Sequence, residues 1–168
     1  MFLPDVLAGR TIAIAGPAGP LTDAVADAAG RAGAVVILCG HDTDSLDELA
    51  WELAERRDAP VEIVDWDGED PGAGLRDALQ AAGHGAAALV LLGADGWTAE
   101  AARAWNAAPG VVVVAQADAD APPLADATSV VLVAPATRPV ADVAAWAVFL
   151  LTAAGRAAAG QRVALAAR

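Results

Sequence analysis

The residues best placed to do chemistry form a short turn between an apolar strand and an alanine-rich helix. The strand is Thr11–Ala15, the turn is Gly16-Pro-Ala-Gly-Pro20, and the helix covers Leu21–Ala32. The free N–H groups and the dipole of a helix start both attract phosphate, and glycine lets a ligand approach the backbone. This arrangement is typical of the opening unit of a nucleotide-binding α/β sheet. The candidate cofactor contacts in this unit are Gly16, Gly19 and Leu21.

The same turn carries two features that oppose phosphate binding. Pro20 has no backbone N–H, and its ring occupies space beside the turn. Asp23 places a carboxylate in the first helical turn, where we expect it to satisfy the helix dipole itself and to repel a phosphate. The interpretation of the turn as a purely structural remnant therefore stands beside the interpretation as a binding site.

The composition limits the classes of partner. The chain has 168 residues, of which 57% are hydrophobic, and we expect one domain over residues 1–168 with a proper core. A net charge of −12 and the lack of any basic cluster argue against nucleic acid, whose phosphates need a basic face. The acidity keeps a protein soluble, and docking to a basic partner is the alternative reason for it.

Cysteine usage and hydropathy favour a cytoplasmic protein without a membrane span. Cys39 is the single cysteine and ends an apolar strand, so it predicts a buried thiol and no CxxC motif. The start of the chain, Met1–Pro4, lacks the basic and apolar regions of a signal peptide. The most apolar stretch, Val143–Ala154, is shorter than the roughly 20 residues that cross a bilayer.

Apolar runs alternate with helical patterns along the whole chain. This alternation predicts an α/β fold, a Rossmann-like, doubly wound and mostly parallel sheet of about seven strands in three layers. A capping box at Ser45–Glu48 predicts the start of the second helix, which ends near Arg57. The predicted strands are Thr11–Ala15, Ala34–Cys39, Val61–Trp66, Ala87–Leu92, Gly110–Ala115, Ser129–Ala134 and Arg162–Ala166. The further predicted helices are Pro71–Ala82, Thr98–Asn106 and Val140–Ala154, and Gln116–Thr128 is predicted to be irregular.

The order of these segments resembles the short-chain dehydrogenase/reductase (SDR) family over nearly the whole chain, with the middle of that family removed. No one of the matching segments is specific, but they follow the family's order and spacing. They are Leu7–Gly16, Arg31–Leu38, Val64-Asp65, Val133-Ala-Pro135, Arg138–Ala144, Phe149-Leu150 and Gly160-Gln161. The resemblance implies NAD(P) as the cofactor, with Asp65 near its adenine.

Several positions depart from the family's cofactor motifs. In the family's G-x-x-x-G-x-G turn, Pro20 and Thr22 stand where the second and third glycines belong. Leu91-Leu92-Gly93-Ala94 replaces an Asn-Asn-Ala-Gly turn, which leaves Gly93 as the candidate contact there. After the second strand, His41 stands near the position where a basic residue selects NADP, and Asp42 or Asp44 could serve an NAD ribose. No bound cofactor is therefore expected, and NAD(P) is the alternative.

The family's catalytic pair is missing from this sequence. The resembled enzymes use a Tyr-x-x-x-Lys pair, in which lysine lowers the pKa of the proton-donating tyrosine. The chain contains no tyrosine and no lysine, and neither Ser45 nor Ser129 lies at the end of the fifth strand. We therefore expect a pseudoenzyme, which does not catalyse the conventional reaction alone.

Other polar residues offer weaker chemistry. The acidic run at Asp65, Asp67, Glu69 and Asp70 lacks the spacing of a calcium loop, so no metal site is predicted. His84 has no second ligand at metal-binding spacing and is predicted to be a surface histidine. A general base among Asp118, Asp120 and Asp126, near the strand ends, is an alternative without a visible orienting partner.

The late helix is apolar on most of its surface, which predicts cover on more than one side. In the resembled family the corresponding helix and the last strand pack against a second subunit. Burial inside the chain's own core is the alternative. The predicted interface residues are Val143, Trp146, Ala147, Phe149, Leu150, Val163 and Leu165.

Three functional hypotheses follow. The first is a non-catalytic SDR-like subunit that pairs through Val140–Ala166 with a full-length SDR reductase, or with itself, and stabilises or shapes that enzyme's site. The second is an NAD(P)-binding reductase component that borrows catalytic groups from a neighbour. The third is a stand-alone small-molecule binder that uses the cleft at the strand ends.

Overall fold

The computed structural model contains a seven-stranded sheet in which every neighbouring pair of strands is parallel. The strands are β1 (Thr11–Ala15), β2 (Val35–Gly40), β3 (Glu62–Asp65), β4 (Ala88–Leu92), β5 (Val111–Gln116), β6 (Ser129–Ala134) and β7 (Arg162–Ala164). Their order across the sheet is β3-β2-β1-β4-β5-β6-β7. The structure describes residues 5–66, 73–85, 88–92, 111–116, 129–152, 155–158 and 161–166. The predicted α/β class, parallel sheet and strand number are confirmed.

Among the described residues, four α-helices and one short 3-10 turn connect or flank these strands. They are α1 (Pro20–Arg31), α2 (Thr43–Arg57), α3 (Ala73–Ala81), α4 (Val140–Leu151) and the turn Gly155–Ala158. Helix α1 packs against both α2 and α4, so α1 lies between them, and α3 contacts β3. The side chain of Arg10 donates a hydrogen bond to the Leu151 carbonyl, which ties the end of α4 to the start of β1. No helix among the described residues is long and apolar enough to cross a membrane.

Two predicted boundaries are wrong for identifiable reasons. Helix α2 begins at Thr43, because Asp42 and not Ser45 is its N-cap, with the Ser45 N–H donating to Asp42 Oδ1 at 3.3 Å. Helix α4 ends at Leu151, because the Thr152 backbone is extended and its hydroxyl donates to the Phe149 carbonyl. The predicted helix Thr98–Asn106 and the irregular residues 117–128 lie outside the described part of the chain.

The central strands β1 and β4 and most of β2 are buried on both faces, as their continuous apolar runs predict. Ile12, Ile14 and Leu38 point toward α1, α2 and α4 and belong to one apolar cluster with these helices. The alternate residues of the same strands, such as Ala13 and Ile37, are equally buried outside that cluster. Because successive side chains of a strand point to opposite faces, these residues cover the other side of the sheet.

Cys39 lies in the buried part of β2, as predicted. Burial raises the pKa of its thiol to about 12, because desolvation disfavours the thiolate. Since the thiolate is the reactive form, Cys39 is a small core hydrophobe and no nucleophile near neutral pH.

The end of β1 approaches the end of β4 so closely that only glycine fits between them. A Cβ atom added to Gly16 would lie 2.9 Å from the Cβ of Leu92 and 3.1 Å from the Leu92 carbonyl oxygen. At Gly19, three residues further along the turn, an added Cβ would meet nothing within 4 Å. The two glycines therefore differ sharply in what they contribute to packing.

We predict that Gly16→Ala lowers the free energy of unfolding by about 1–3 kcal/mol, because the new methyl group overpacks the β1–β4 contact. Gly19→Ala is the matched control and should change it by less than about 1 kcal/mol, since the methyl group enters open space. Urea unfolding followed by circular dichroism measures both. Equal stabilities of the two variants would contradict the assigned packing role of Gly16.

Candidate functional site

A cleft opens at the carboxyl ends of β1, β2 and β3. Its cavity volume is about 400 Å³. The strand order reverses between β1 and β4, so the cleft begins at β1, beside the switch point at which open parallel sheets bind ligands. The lining residues follow β1 (Gly16, Pro17, Ala18), end or follow β2 (Gly40, His41, Asp42), belong to α2 (Leu46) or follow β3 (Trp66).

Backbone hydrogen bonds between the strand ends hold the floor of the cleft. The Gly16 N–H donates to the Cys39 carbonyl at 3.2 Å, and the Trp66 N–H donates to the Gly40 carbonyl at 3.1 Å. The Trp66 side chain is only 4% exposed, although it borders the cavity. A Cβ atom on Gly40 would come within 3.0 Å of the Leu46 side chain. The hydrogen bonds that align the ends of β1, β2 and β3 thus also hold Trp66 in the apolar wall of the cleft.

The polar rim is formed by His41 and Asp42. Hydrogen bonds from Ser45, first from its side chain and then from its backbone N–H, hold the pKa of Asp42 below its usual value. The carboxylate therefore stays ionised at neutral pH and is occupied as the N-cap of α2. A ligand in the cleft would meet a carboxylate that already accepts hydrogen bonds, beside an exposed imidazole.

The turn from β1 into α1 is closed by its own residues. Thr22 is buried, and its hydroxyl donates to the Pro17 carbonyl at 2.5 Å. Gly19 is the N-cap, with no side-chain hydrogen bond to the helix, and Pro20 occupies the first turn without strain. In a helix that starts at Pro20, the N–H groups of Leu21 and Thr22 have no acceptor within the helix. The turn therefore keeps fewer donors than an ordinary helix start, but it keeps some.

Asp23 lies in the first turn of α1, as predicted, and its carboxylate also contacts α2. Its carboxylate makes no cap; it accepts a hydrogen bond from Arg56 of α2, with Arg56 Nη2 and Asp23 Oδ1 3.1 Å apart. This contact raises the pKa of Arg56, because the carboxylate favours the charged guanidinium. Arg56 thus partly compensates the charge that Asp23 places at the start of α1.

The structure brings together some of the predicted cofactor contacts. Gly16 and His41 line the cleft, while Gly19 and Leu21 lie at the start of α1 beside it. Asp65 is exposed at the end of β3, paired in register with Gly40, and is not among the lining residues. Gly93 lies outside the described residues. Pro17 and Ala18 lie in the predicted turn, and Asp42 was a predicted ribose contact, whereas the sequence did not point to Gly40 or Leu46. Trp66 was predicted only as the last residue of a strand, and that position is the signal that could have placed it at the cleft.

The other polar side chains that could take part in chemistry lie away from the cleft or outside the described residues. His84 and Glu62 approach to 2.6 Å between Nε2 and Oε2, which ties the segment after α3 to β3. Within the described part of the chain, no three His, Cys, Asp or Glu side chains are grouped as metal ligands. Residues 67–70 and the aspartates of residues 117–128 are outside that part. The cleft at the strand ends is therefore the candidate binding site that the predicted cofactor contacts support.

The predicted interface residues divide into buried and surface groups. Val143, Ala147 and Leu150 are buried inside this chain, so α4 presents them to its own core. Trp146 is 39% exposed and contacts the half-buried Phe149 edge-to-face, with ring centroids 5.6 Å apart. Val163 is half-buried and Leu165 is buried. Of the predicted interface residues, only Trp146, Phe149 and Val163 thus have surface that a partner could contact.

A shallow groove lies between α1 and α4. It is lined mainly by alanines, with the ion pair of Asp27 and Arg31 at its edge, 2.8 Å between Oδ2 and Nε. Small side chains let a neighbouring element approach a helix pair closely. The alanines of the groove are Ala24, Ala28, Ala32, Ala141, Ala144 and Ala145.

Comparison with known proteins places this fold. No protein-family model matches the chain, and no curated protein matches it. Among solved structures it is similar to a citronellol catabolism dehydrogenase from Pseudomonas aeruginosa PAO1, with a TM-score of 0.75 and 18% identity, covering 98% of this chain and 96% of that chain. A short chain dehydrogenase from Mycobacterium smegmatis gives a TM-score of 0.72 and 18% identity, covering 98% and 94%.

A third similar structure is the L-sorbose reductase from Gluconobacter frateurii, which is complexed with NADPH and L-sorbose. The TM-score is 0.68 and the identity 14%, covering 96% of this chain and 97% of that chain. Identities of this size show the fold and nothing finer. The chain has the Rossmann-like fold of the short-chain dehydrogenases/reductases.

Proposed function

We propose that the chain is a non-catalytic SDR-like subunit, which pairs with an active NAD(P)-dependent short-chain reductase and stabilises or shapes its site. One observation carries the proposal. The similarity to a dehydrogenase structure covers 98% of the chain, yet the sequence contains no tyrosine and no lysine. A proton donor tuned by a neighbouring cation is what the Tyr-x-x-x-Lys pair supplies in the resembled family. A chain without either residue cannot supply that chemistry itself.

The connection between β5 and β6 supports this proposal. The two strands are adjacent and parallel, and residues 117–128 join them. In the resembled family this part of the chain carries the catalytic helix. Here it contains the pair Pro122-Pro123, which removes backbone donors and opposes a long helix. We infer that the chain is a shortened and degenerate form of the family.

The outer side of α4 supports the pairing. Trp146 and Phe149 form an aromatic pair at the surface, and the alanine groove between α1 and α4 lies beside the same helix. Exposed aromatic side chains often anchor protein interfaces. The small alanine side chains of the groove would let a partner pack close to the helix backbone. The partly buried Val163 of β7 adds to the apolar surface at this end of the sheet.

The cleft favours a second candidate, an NAD(P)-binding reductase component that borrows catalytic groups from a partner. A cavity of about 400 Å³ with an apolar wall and a polar rim fits the adenine and ribose end of the cofactor. Trp66 and Leu46 would cover the base, and Leu21 and Thr22 retain N–H groups for a phosphate. When bound, NAD(P) supplies hydride transfer; the residues of this chain would only bind and orient it.

The pairing is tested by recovering the tagged chain from its native cells and weighing the intact complex by native mass spectrometry. We expect an equimolar complex with a chain that carries a Tyr-x-x-x-Lys helix. Trp146→Ser should reduce its recovery at least about tenfold, because the largest exposed anchor of α4 is lost.

Val35→Ser is the matched control, since Val35 is an exposed apolar residue on another element. This variant should recover the partner as the original chain does. Recovery of the chain alone, or equal recovery by the two variants, would contradict pairing through α4.

Cofactor binding is tested by titrating the purified chain with NADPH and with NADH, using calorimetry and tryptophan fluorescence in parallel. If the second candidate holds, both signals saturate below millimolar cofactor. Trp66→Phe then removes most of the fluorescence change while the heat of binding remains, because Trp66 borders the cleft. Trp51→Phe, at an exposed site on α2, should leave both signals unchanged.

The absence of any saturable heat at millimolar cofactor would remove the second candidate and leave the first intact. Saturation that is unaffected by Trp66→Phe would place the cofactor outside the cleft.

A further inference from the structure

Helix α2 carries a large aromatic side chain on the side that faces away from the core. Leu46, Leu49 and Leu53 bury the inner stripe of the helix. Trp51 lies on the opposite side and is 63% exposed, more than any other large hydrophobic side chain of the described residues. An isolated exposed leucine needs no explanation, but tryptophan is the side chain most enriched at the centres of protein interfaces.

Carboxylates surround this tryptophan at helical spacing. Asp47 and Glu48 precede Trp51 by four and three residues, Glu55 follows it by four, and all three are exposed. Residues at these spacings are surface neighbours on a helix, with Cβ atoms about 5–6 Å apart. Asp44 continues the acidic surface one turn earlier. We call Trp51 with these four carboxylates the α2 outer face.

The arginines of α2 do not neutralise this face. Arg56 bonds to Asp23 of α1 at 3.1 Å, and Arg57 donates to the Ala26 carbonyl of α1 at 3.3 Å. Both guanidinium groups are therefore directed toward α1. None of the four carboxylates forms an ion pair with a residue that the structure describes. The α2 outer face thus combines an aromatic ring with carboxylates that no described residue neutralises.

Charge selects the kind of partner that fits. A cation above an indole ring is attracted by the ring's quadrupole, and adjacent carboxylates strengthen the contact through charge-assisted hydrogen bonds. Nucleic acid and anionic membranes are repelled by the same carboxylates. A purely apolar partner would bury them without partners, and a second copy of a chain with net charge −12 is disfavoured by repulsion.

We propose that the α2 outer face docks an arginine- or lysine-bearing segment of another protein, with one cationic side chain stacked on Trp51 and its neighbours paired with Asp47, Glu48 and Glu55. This surface is separate from the α4 surface of the proposed function, because α1 lies between α2 and α4. The inference therefore stands whether or not the chain pairs through Trp146.

The test measures binding of a fluorescent, alternating arginine–glycine peptide by anisotropy, at about 150 mM salt so that long-range attraction is screened. We expect saturable binding. Trp51→Ser should weaken it about tenfold, and Trp51→Phe by less, because a phenyl ring keeps a weaker quadrupole. Trp146→Ser removes an exposed tryptophan on another helix and should leave the peptide affinity unchanged.

Two double variants that remove equal charge distinguish binding at the α2 outer face from attraction by the overall negative charge of the chain. Glu48→Gln with Glu55→Gln should weaken peptide binding severalfold, whereas Asp65→Asn with Asp77→Asn removes the same charge at other exposed positions and should change it less than twofold. All substitutions are at the surface, and unchanged thermal unfolding verifies the fold.

Three results would overturn the proposal. They are no saturable binding of the peptide, equal weakening by the two double variants, and a Trp51→Ser affinity equal to that of the original chain. Tighter binding of an uncharged leucine–glycine peptide than of the arginine peptide would also overturn it, in favour of an apolar occupant.

Discussion

The close approach of β1 and β4 is the constraint on which the rest of the structure depends. Gly16 leaves β1 against the Leu92 backbone, where no side chain fits, so the two central strands end at the same level. The strand order reverses at this pair, which opens the cleft on the β2 and β3 side. The chain leaves this contact through Pro17 and Ala18, which line the cleft, and then enters α1. The cleft is thus a consequence of sheet packing, and it would persist in a protein that had lost its chemistry.

Much of the fold could be predicted because its strands are buried on both faces. A continuous apolar run such as Val36–Cys39 is typical of a strand covered on both faces, and β1 and β6 were predicted residue for residue. Helix starts were less predictable, because Asp42 and Ser45 both suit an N-cap, and in the structure the Ser45 N–H donates to the Asp42 carboxylate. The site was predicted in part. Gly16 and His41 lie next to strands along the chain, whereas Leu46 reaches the cleft only through the packing of a helix. The sequence could not tell which apolar residues of α4 face the core and which face the surface. Val143 and Trp146 are both apolar, but Val143 is buried and Trp146 is exposed.

Two exposed tryptophans mark surfaces of different chemistry on the two helices that flank α1. Trp146 lies with Phe149 beside an alanine groove, which suits an apolar neighbour at close range. Trp51 lies among carboxylates, which suits a cation. The sequence has no tyrosine and no lysine, and these two surfaces carry distinctive chemistry outside the cleft. The proposed role as a subunit, and not as a free-standing reductase, agrees with that distribution.

The measurement that tests the central claim most directly is the rate of NADPH and NADH oxidation by the purified chain alone, with a panel of small aldehydes and ketones. The account predicts a rate equal to that without protein, because no tyrosine or lysine is present to donate a proton to the substrate. The contradicting result is saturable, substrate-dependent oxidation that is abolished when Ala18→Trp fills the cleft, since such activity would belong to this chain and not to a contaminant.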